Sequence, residues 1–324
     1  MALTYQELES ITNDYFLLDG GKAVDIYFDD SFALTHYVKQ KNGIWERPDG
    51  GEQIRIPIEF DRQIGGWYGR GDTLSSDDRE SVNTARYDWK HLYGNATIRR
   101  IDELKNSGDY AKVRLLTQRL AGAQKSVTID MANSFYSDTG ASSDEFDGVL
   151  AMCNETSTTA YGDIAEDDLV ASDGTKPWEG KRKTTTEGIS LAVIRTLCSD
   201  AKIRSGKHGK PNIIFTTESL WNTIADIVQV SQRITEDIEA AKIGFTSLIF
   251  EGKRIVADDY CPSGYMVAIN DKFFGAAFHK KGLYERTKWE KIPDSPGDRS
   301  MKIFCDGNLV CSNRKAHKAH SNLS

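Results

Sequence analysis

The 324 residues are 39% hydrophobic and 27% charged, a composition that is typical of a folded globular protein and unlike that of a disordered chain. The chain carries 41 lysines and arginines against 48 aspartates and glutamates, a formal net charge of −7, which argues against a protein whose main task is to neutralise nucleic-acid phosphates. A chain of this length usually divides into two domains, or extends long segments from one core.

The sequence shows no sign of export or of a membrane span. Its first ten residues have neither the basic nor the apolar region of a signal peptide, and its apolar runs are too short to cross a bilayer. None of the five cysteines forms a CxxC pair, so we expect reduced thiols in a cytosolic environment.

The first part of the chain predicts an arm and a hairpin. Residues 1–53 show no sustained periodicity, and their short apolar pieces cannot bury a core alone, so we expect an extended arm that packs on another body. Ile54–Phe60 alternates apolar and polar residues, as strands do, and Pro57 restricts it to an edge or a two-stranded ribbon. Its predicted partner is Ser81–Tyr87, which gives a long hairpin with the glycine-rich, aromatic tip GGWYGRGD at 65–72.

The clearest helix in the sequence lies between Asp109 and Phe135. Apolar residues recur every three or four positions from Val113 to Phe135, as on the buried face of a helix. A helix over Tyr110–Phe135 would be about 39 Å long at ~1.5 Å per residue. Such a helix can form the spine of an elongated subunit.

The second half of the chain mixes helices and strands. Residues 138–183 are rich in serine, threonine, aspartate and glycine, which predicts irregular structure. Helices are predicted at Thr186–Ala201 and after Thr217. Strands are predicted at 211–216, 248–250, 254–257, 265–269, 274–278 and 301–311. Because strand–helix–strand units do not alternate regularly, this order indicates an α+β fold, and the basic, polar residues 312–324 indicate a tail.

No motif in the sequence predicts catalytic chemistry. The glycines near residue 70 match neither a GxGxxG nor a P-loop pattern, and the scattered histidines belong to no HExxH or GxSxG motif. Cys305, Cys311, His317 and His320 have the side chains of a zinc site, but two cysteines six residues apart on one strand would lie roughly 20 Å apart. We therefore expect buried free thiols, no metal, no cofactor and no enzymatic activity.

Several stretches of the sequence occur in a recognisable order. They are 96–109 leading into the long helix, 148–150, 160–164 with 177–178, 211–221, 243–258 followed by 261–270, and 306–314. Together, over roughly residues 54–314, they resemble the major capsid proteins of tailed bacteriophages, which have the Hong Kong 97-type fold.

The resemblance implies an α+β capsid fold with a long spine helix, a peripheral domain and an axial domain. The implied parts are an N-terminal arm (1–53), an extended hairpin loop (54–93), the peripheral domain (94–140 and 270–314), the axial domain around the five-fold and six-fold centres (141–269) and a basic tail (315–324). One domain would thus be split around the other. We expect removal of residues 312–324 to leave the shell geometry intact.

The resemblance also implies a function and its partners. Copies of the chain would assemble as pentamers and hexamers into the icosahedral shell around the double-stranded DNA of a tailed phage, in the host cytoplasm, with only non-specific contact to the DNA and none to a membrane. A portal protein is an implied partner, and a decoration protein is a further candidate. Some family members begin with a long helical scaffolding segment that is later cleaved; this sequence shows none, so we expect a separate scaffolding protein.

Subunit contacts are expected in the hairpin loop and in a later turn. Aromatic side chains dominate interface energetics, so Trp67 and Tyr68 are the expected anchors at the hairpin tip. Four arginines of the loop are expected either to pair with acidic residues of an adjacent subunit or to be solvated: Arg62, Arg70, Arg79 and Arg86. The turn from Pro293 to Arg299 is expected to meet its copies at three-fold positions.

Two alternatives remain at this point. An encapsulin-type nanocompartment shell protein shares the fold and packages an enzyme instead of a genome. A cytosolic enzyme is the alternative from another class, for which the sequence offers no site. Some family members also cross-link a loop lysine to a neighbouring asparagine, but the hairpin from Ile54 to Trp89 contains no lysine, so non-covalent stabilisation is expected.

Overall fold

A computed structural model describes residues 31–105, 109–139, 144–155, 160–203, 209–231, 247–293 and 295–324. Its helices are α1 (Phe32–Leu34, continued by a π-helical turn, Thr35–Lys39), α2 (Arg100–Lys105), α3 (Asp109–Phe135), α4 (Val149–Met152), α5 (Leu191–Asp200) and α6 (Glu218–Ser231). Its strands are β1 (Ile44–Glu46), β2 (Gln53–Glu59), β3 (Val82–Asp88), β4 (Lys90–Ile98), β5 (Arg182–Lys183), β6 (Ile213–Thr216), β7 (Ser247–Phe250), β8 (Lys253–Ala257), β9 (Met266–Ile269), β10 (Phe274–Arg286), β11 (Glu290–Ile292), β12 (Ser295–Cys311) and β13 (Lys318–His320). The part of the predicted arm at 1–30 lies outside the described residues.

The described residues belong to two compact units. The first unit contains residues 91–131 and 278–306, and the second unit contains residues 31–90, 132–277 and 307–324. The chain therefore passes from one unit to the other several times. The boundaries of these two units differ from those of the peripheral and axial domains expected from the sequence. The division into peripheral and axial domains stays a prediction.

A six-stranded sheet forms the centre of the second unit, in the order β5-β13-β9-β6-β8-β7. Strand β6 pairs in parallel with β8 and antiparallel with β9. Every residue of β6 and β9 is buried, which explains why their sequences are continuously apolar instead of alternating. The strand predicted at 211–216 is confirmed.

Helices α5 and α6 complete this core with their apolar faces. Ile194 and Leu197 of α5 and Ile224 of α6 pack in one buried cluster with Ile255 of β8. Helix α5 begins at Leu191, later than the predicted start at 186, because the Ser190 hydroxyl accepts a hydrogen bond from the Val193 N–H and caps it there. Residues 187 and 189 pair instead with the chain end, where their N–H groups donate to the Asn322 and Ser324 carbonyls.

A second sheet has the order β1-β10-β12-β11, and β4 also pairs with β12. Strand β1 runs parallel to β10, with Ile44 opposite Gly275. In the first unit the long helix α3 packs on β4 and β12 of this sheet, where Ala123 contacts Ala96 and Ile303. The helix predicted over 110–135 is confirmed.

Gly94 sets how closely β4 approaches α3. A Cβ on Gly94 would lie 2.5 Å from Val127 Cγ2 and 2.7 Å from the Ala123 carbonyl oxygen. Any side chain at this position would therefore push the strand away from the helix. Gly122 lies in the same helix, and a Cβ there meets no atom of the described chain within 4 Å.

The arm prediction is wrong for residues 31–39, which fold into the second unit. Tyr37 is fully buried, and its ring packs against Phe135 and Phe274 with centroid distances of 5.7 and 5.2 Å. The Ser31 hydroxyl and the Ala33 N–H both donate to the Asp258 carboxylate, at 2.9 and 2.8 Å. This short apolar segment does not form a core of its own. It adds the aromatic side chain of Tyr37 to a core whose other aromatic residues come from later parts of the chain.

The tail prediction is wrong as well. Strand β13 lies inside the six-stranded sheet, between β5 and β9, and Ala316, His317 and Ala319 are fully buried. Arg314 is 1% exposed, and its guanidinium donates to the carbonyls of Met152, Asn154 and Trp178 at 2.9, 2.9 and 3.1 Å. Backbone carbonyls thus satisfy the Arg314 guanidinium in the absence of solvent.

We expect Arg314→Ala to lower the free energy of unfolding by at least about 3 kcal/mol, because it leaves buried carbonyls without donors. Lys315→Ala is the control: Lys315 pairs at 4.0 Å with the half-exposed Glu179, so its loss should cost less than about 1 kcal/mol. Urea unfolding followed by circular dichroism measures both. Deletion of residues 312–324 should prevent folding of the second unit, and a deletion variant that unfolds like the wild type would contradict this assignment.

We expect Gly94→Ala to destabilise the protein by about 1–3 kcal/mol through overpacking against α3. Gly122→Ala makes the same chemical change on the open side of that helix and should stabilise by up to about 1 kcal/mol. Opposite shifts of the urea midpoint for the two variants are the expected result. Equal shifts would show that Gly94 is not a close-approach position.

Candidate subunit interface

The predicted hairpin is present and its base is tightly paired. Strands β2 and β3 are antiparallel, from Gln53 opposite Asp88 to Glu59 opposite Val82. Beyond the ladder the Phe60 N–H donates to the Ser81 carbonyl at 2.8 Å. From residue 61 to residue 80 the described chain forms a loop without strands. The pairing of the two predicted strands is confirmed.

Asp61 fixes the start of this loop to another part of the second unit. Its carboxylate accepts hydrogen bonds from the Ser172 N–H and hydroxyl, both at 3.0 Å, and from the Arg62 N–H at 2.8 Å. Desolvation opposes ionisation, but these hydrogen bonds outweigh it and hold the pKa of Asp61 below its ordinary value. The loop therefore leaves the core from a defined position.

The tip of the loop is a tight turn that glycine makes possible. The Gly69 N–H donates to the Asp72 carboxylate at 2.5 Å, and the Asp72 N–H donates to the Gly69 carbonyl at 3.3 Å. Gly71 has a φ of +96°, a region that other residues rarely adopt. Glycines that could be mistaken for a phosphate cradle thus shape a turn.

The loop presents apolar side chains to solvent. Trp67 is fully exposed, at 105% of its reference area, and Tyr68 is 72% exposed. Three further large apolar residues of the hairpin are exposed: Ile64, Leu74 and Val82. Trp67 and Tyr68 are adjacent in the chain, so the tip exposes two large aromatic side chains side by side, and aromatic residues are enriched at interfaces. That Trp67 and Tyr68 contact another subunit stays a prediction.

The four arginines of the loop differ in their surroundings. Arg79 lies 3.7 Å from the Asp61 carboxylate, and Arg86 lies 3.5 Å from that of Asp163, so both have acidic partners within the chain. Arg62 and Arg70 are exposed and make no ion pair with the described residues. Contacts of all four with an adjacent subunit stay a prediction.

The predicted turn from Pro293 to Arg299 is mostly strand. Strand β12 begins at Ser295, and Ile292 lies opposite Ser295 in the β11–β12 pair, so the connection between the strands is very short. Within β12 the Asp298 carboxylate accepts a hydrogen bond from the Arg100 N–H at 2.9 Å. Pro293 and Arg299 are both exposed, and their contact with other copies stays a prediction.

Sequence reasoning missed the residues that hold the loop in place. Asp61 and Ser172 are far apart in the chain, and nothing in either local sequence predicts their pairing. The sequence does indicate that Ile64 and Leu74 are exposed, because large apolar residues are unusual in a loop rich in glycine, serine and aspartate. Exposure of such residues was therefore foreseeable, whereas the anchoring was not.

The second unit also holds a polar cleft of about 450 Å³ beside Asp271. The Asp271 carboxylate accepts hydrogen bonds from His36 Nε2, the Tyr37 hydroxyl and Asn212 Nδ2 at 3.0, 2.7 and 2.7 Å. Burial alone would raise the pKa of Asp271, but these donors outweigh burial and lower it. Two of these donors, His36 and Tyr37, belong to the helical segment after Ser31, so the carboxylate fixes that segment to the second unit.

The cysteines and histidines of the zinc-like pattern have other partners. All five cysteines are buried and free, as predicted, and burial raises the pKa of Cys305 to about 11 and that of Cys311 to about 12. His317 accepts a hydrogen bond from the Asn270 N–H, and His320 Nε2 lies 2.5 Å from the Glu187 carboxylate. Within the described ranges, no group of three or more histidine, cysteine or acidic side chains is arranged to hold a metal.

Among the described helices, none combines the length and the apolar character needed to cross a membrane.

Comparison with known proteins identifies the fold. No family model matches this sequence, and no curated protein does. Solved structures match over almost the whole chain. The cyanophage A-1(L) capsid asymmetric unit matches with a TM-score of 0.69 and 12% identity, over 99% of this chain and 98% of that chain. The capsid of a native GTA particle matches with a TM-score of 0.60 and 11% identity, over 95% of this chain and 96% of that chain, and the holo-SrpI encapsulin complex from Synechococcus elongatus PCC 7942 matches with a TM-score of 0.53 and 9% identity, over 100% of this chain and 97% of that chain. The α+β capsid fold expected from the sequence is confirmed.

We expect Asp271→Asn to lower the free energy of unfolding by about 2 kcal/mol at pH 7, because it weakens three hydrogen bonds to a partly buried carboxylate. Since the pKa of Asp271 is lowered by folding, its stabilisation is present above the ordinary value of 3.8 and is lost as the pH falls through the lower folded-state value. The difference between wild type and variant should therefore shrink below pH 3.8 in urea titrations.

Asp163→Asn provides the control for this prediction. Asp163 is 61% exposed on its side chain and pairs with a half-exposed arginine, so its loss should change stability by less than about 1 kcal/mol. A pH-independent difference between wild type and Asp271→Asn would show that the carboxylate does not act through its charge.

Proposed function

We propose that this chain is the major capsid protein of a tailed phage. Copies assemble through pentamers and hexamers into an icosahedral shell that encloses double-stranded DNA, and the chain itself has a structural and not an enzymatic role. The observation that carries the proposal is the extent of the match: the likeness to the cyanophage A-1(L) capsid covers 99% of this chain and 98% of that chain. The shared fold is thus that of a whole subunit and not of one module within it.

The hairpin supports the same function. A loop that is held at Asp61 and exposes Trp67, Tyr68 and Leu74 offers apolar area without enlarging a core. A shell subunit needs such area for heterologous contacts, in which different surfaces of two copies meet and the contacts close into rings.

The charge of the chain fits a container for DNA. A net charge of −7 keeps the shell from binding the packaged polymer tightly, since tight binding requires clustered lysines and arginines. The basic residues at the C-terminal end are engaged: Arg314 is buried, and Lys318 lies 2.6 Å from the Asp200 carboxylate. Contact with DNA is therefore expected to be weak and non-specific.

Other proposed partners are proteins of particle assembly. They are a portal protein, a separate scaffolding protein and a decoration protein, with assembly in the host cytoplasm and residence in the virion. The peripheral and axial domains at the boundaries given above, with the turn at 293–299 at three-fold positions, belong to the same proposal.

The second candidate is the shell protein of an encapsulin-type nanocompartment. The likeness to the holo-SrpI encapsulin complex, with a TM-score of 0.53 over 100% of this chain, favours it. The same fold serves both functions, so the packaged contents distinguish them. Portal and terminase genes beside this gene would favour the phage, and a gene for a cargo enzyme would favour the compartment.

We expect the purified full-length protein, expressed with the scaffolding protein encoded beside it, to form closed icosahedral particles in electron micrographs. Expression alone should give irregular or wrongly sized assemblies. Correctly sized shells from the chain alone would refute the separate scaffold and leave the shell function standing. A protein that stays monomeric under both conditions would refute the shell function itself.

A further inference from the structure

The hairpin tip has a counterpart elsewhere on the same chain. A cleft of about 380 Å³ lies in the second unit, between β1 and the first half of β2, next to the base of the hairpin. Its walls are mainly apolar and include Ile44, Ile54, Ile56, Pro57, Trp89 and Val310. The Trp89 Nε1 donates to the Gly51 carbonyl at 2.9 Å, which fixes the orientation of that indole. The cleft is therefore formed before any partner arrives.

The size of the cleft suits one aromatic side chain. An apolar cavity of ~150 Å³ accommodates benzene, so a volume of about 380 Å³ has room for the two fused rings of an indole and part of its neighbour. Trp67 is the fully exposed indole of the hairpin, at 105%. Its burial in an apolar cleft would remove the largest exposed apolar side chain of the described residues from water.

The charges around the cleft and around the tip are complementary. Glu46 and Arg55 line the cleft and are exposed; neither forms an ion pair with the described residues. The tip carries Arg70, which is also exposed and has no ion pair in the described chain, and Asp72. Arg70 beside Glu46 and Asp72 beside Arg55 would place opposite charges at the rim of an apolar contact, the usual anatomy of an interface.

A chain cannot easily fill its own cleft. The wall residues Ile54 and Ile56 belong to β2, and Trp67 follows Pro57 by ten residues of the same hairpin. Residues 57–59 continue the strand, and the loop then begins at its anchored residue Asp61. An extended segment of ten residues spans up to ~33 Å, so the tip would have to fold back over its own strand. A second copy meets no such obstacle.

We propose that the hairpin tip of one copy inserts Trp67 into this cleft of the next copy, with Arg70 facing Glu46. The proposal rests on the proposed shell function, and it names the receiving surface for the hairpin. The contact is heterologous, because the tip and the cleft are different surfaces, so successive copies can repeat it around a ring.

Substitution at the tip tests the apolar part of the contact. Trp67→Ala should raise the protein concentration needed for assembly by about 30-fold, the effect expected of an interface hot spot, and Trp67→Phe should restore most of the loss. Light scattering measures the concentration, and urea unfolding confirms that each variant keeps wild-type stability. Glu80→Lys, a charge change at an exposed position of the same loop away from the tip, is the control and should assemble like the wild type.

Charge reversal tests the pairing of the two surfaces. Arg70→Glu and Glu46→Arg should each impair assembly, and the double variant Arg70→Glu/Glu46→Arg should regain much of it, because the pair is restored with its signs exchanged. Two single effects that simply add in the double variant would overturn the assigned pairing.

Disulfide trapping identifies the receiving copy. Ile56→Cys/Trp67→Cys is assembled at the higher protein concentration that loss of the indole requires and is then treated with a mild chemical oxidant. It should give a ladder of linked chains on a denaturing gel, whereas each single variant should not, since a disulfide requires closely spaced Cα atoms. Assembled shells without linked chains, or a link within one copy, would overturn the inference and leave the shell function intact. Failure of the wild type to assemble would instead refute the proposed function.

Discussion

One buried hydroxyl joins the base of the hairpin to the sheet that contains β12. The Tyr87 hydroxyl donates to the Cys311 carbonyl at 2.7 Å and accepts from the Cys311 N–H at 3.2 Å, so both backbone groups of one residue are satisfied by one side chain. Tyr87 is fully buried, where an unmatched polar group would cost about 1–3 kcal/mol. The base of the hairpin is thereby fixed to the end of strand β12.

The contacts continue from that point towards the C-terminal end. The Tyr161 ring meets the Tyr87 ring edge-on at 5.7 Å, and the Arg314 guanidinium lies over the Tyr161 ring at 5.4 Å. Arg314 in turn binds three backbone carbonyls, and β13 follows it into the six-stranded sheet. A segment with the composition of a solvated tail therefore joins the base of the exposed hairpin loop to the core.

Local pattern and long-range pairing explain which features were predictable. The helix over 110–135, the buried strand at 211–216 and the hairpin strands depend on periodicity within a few residues, and the sequence displays it. The helix after Ser31 and strand β13 are too short for a period to emerge, and Arg314 is buried only because carbonyls from distant residues converge on it. In the hairpin loop the exposed aromatics were foreseeable from composition, whereas the anchor between Asp61 and Ser172 depends on tertiary structure alone.

For the proposed contact, the magnitudes favour closed rings over isolated pairs of copies. An aromatic side chain buries ~150–250 Å², worth roughly 4–6 kcal/mol at ~25 cal/mol per Å², while association of two proteins costs about 4–15 kcal/mol in lost freedom. One inserted tryptophan thus barely offsets the cost for a pair of copies. In the proposed arrangement β2 supplies part of the cleft wall and also leads into the loop that carries Trp67. Filling the cleft of one copy would therefore stabilise β2 and, with it, the position of that copy's own Trp67 for the next contact. The last copy to enter a ring makes two such contacts but loses its translational and rotational freedom only once. Closure of the ring therefore stabilises all of its contacts.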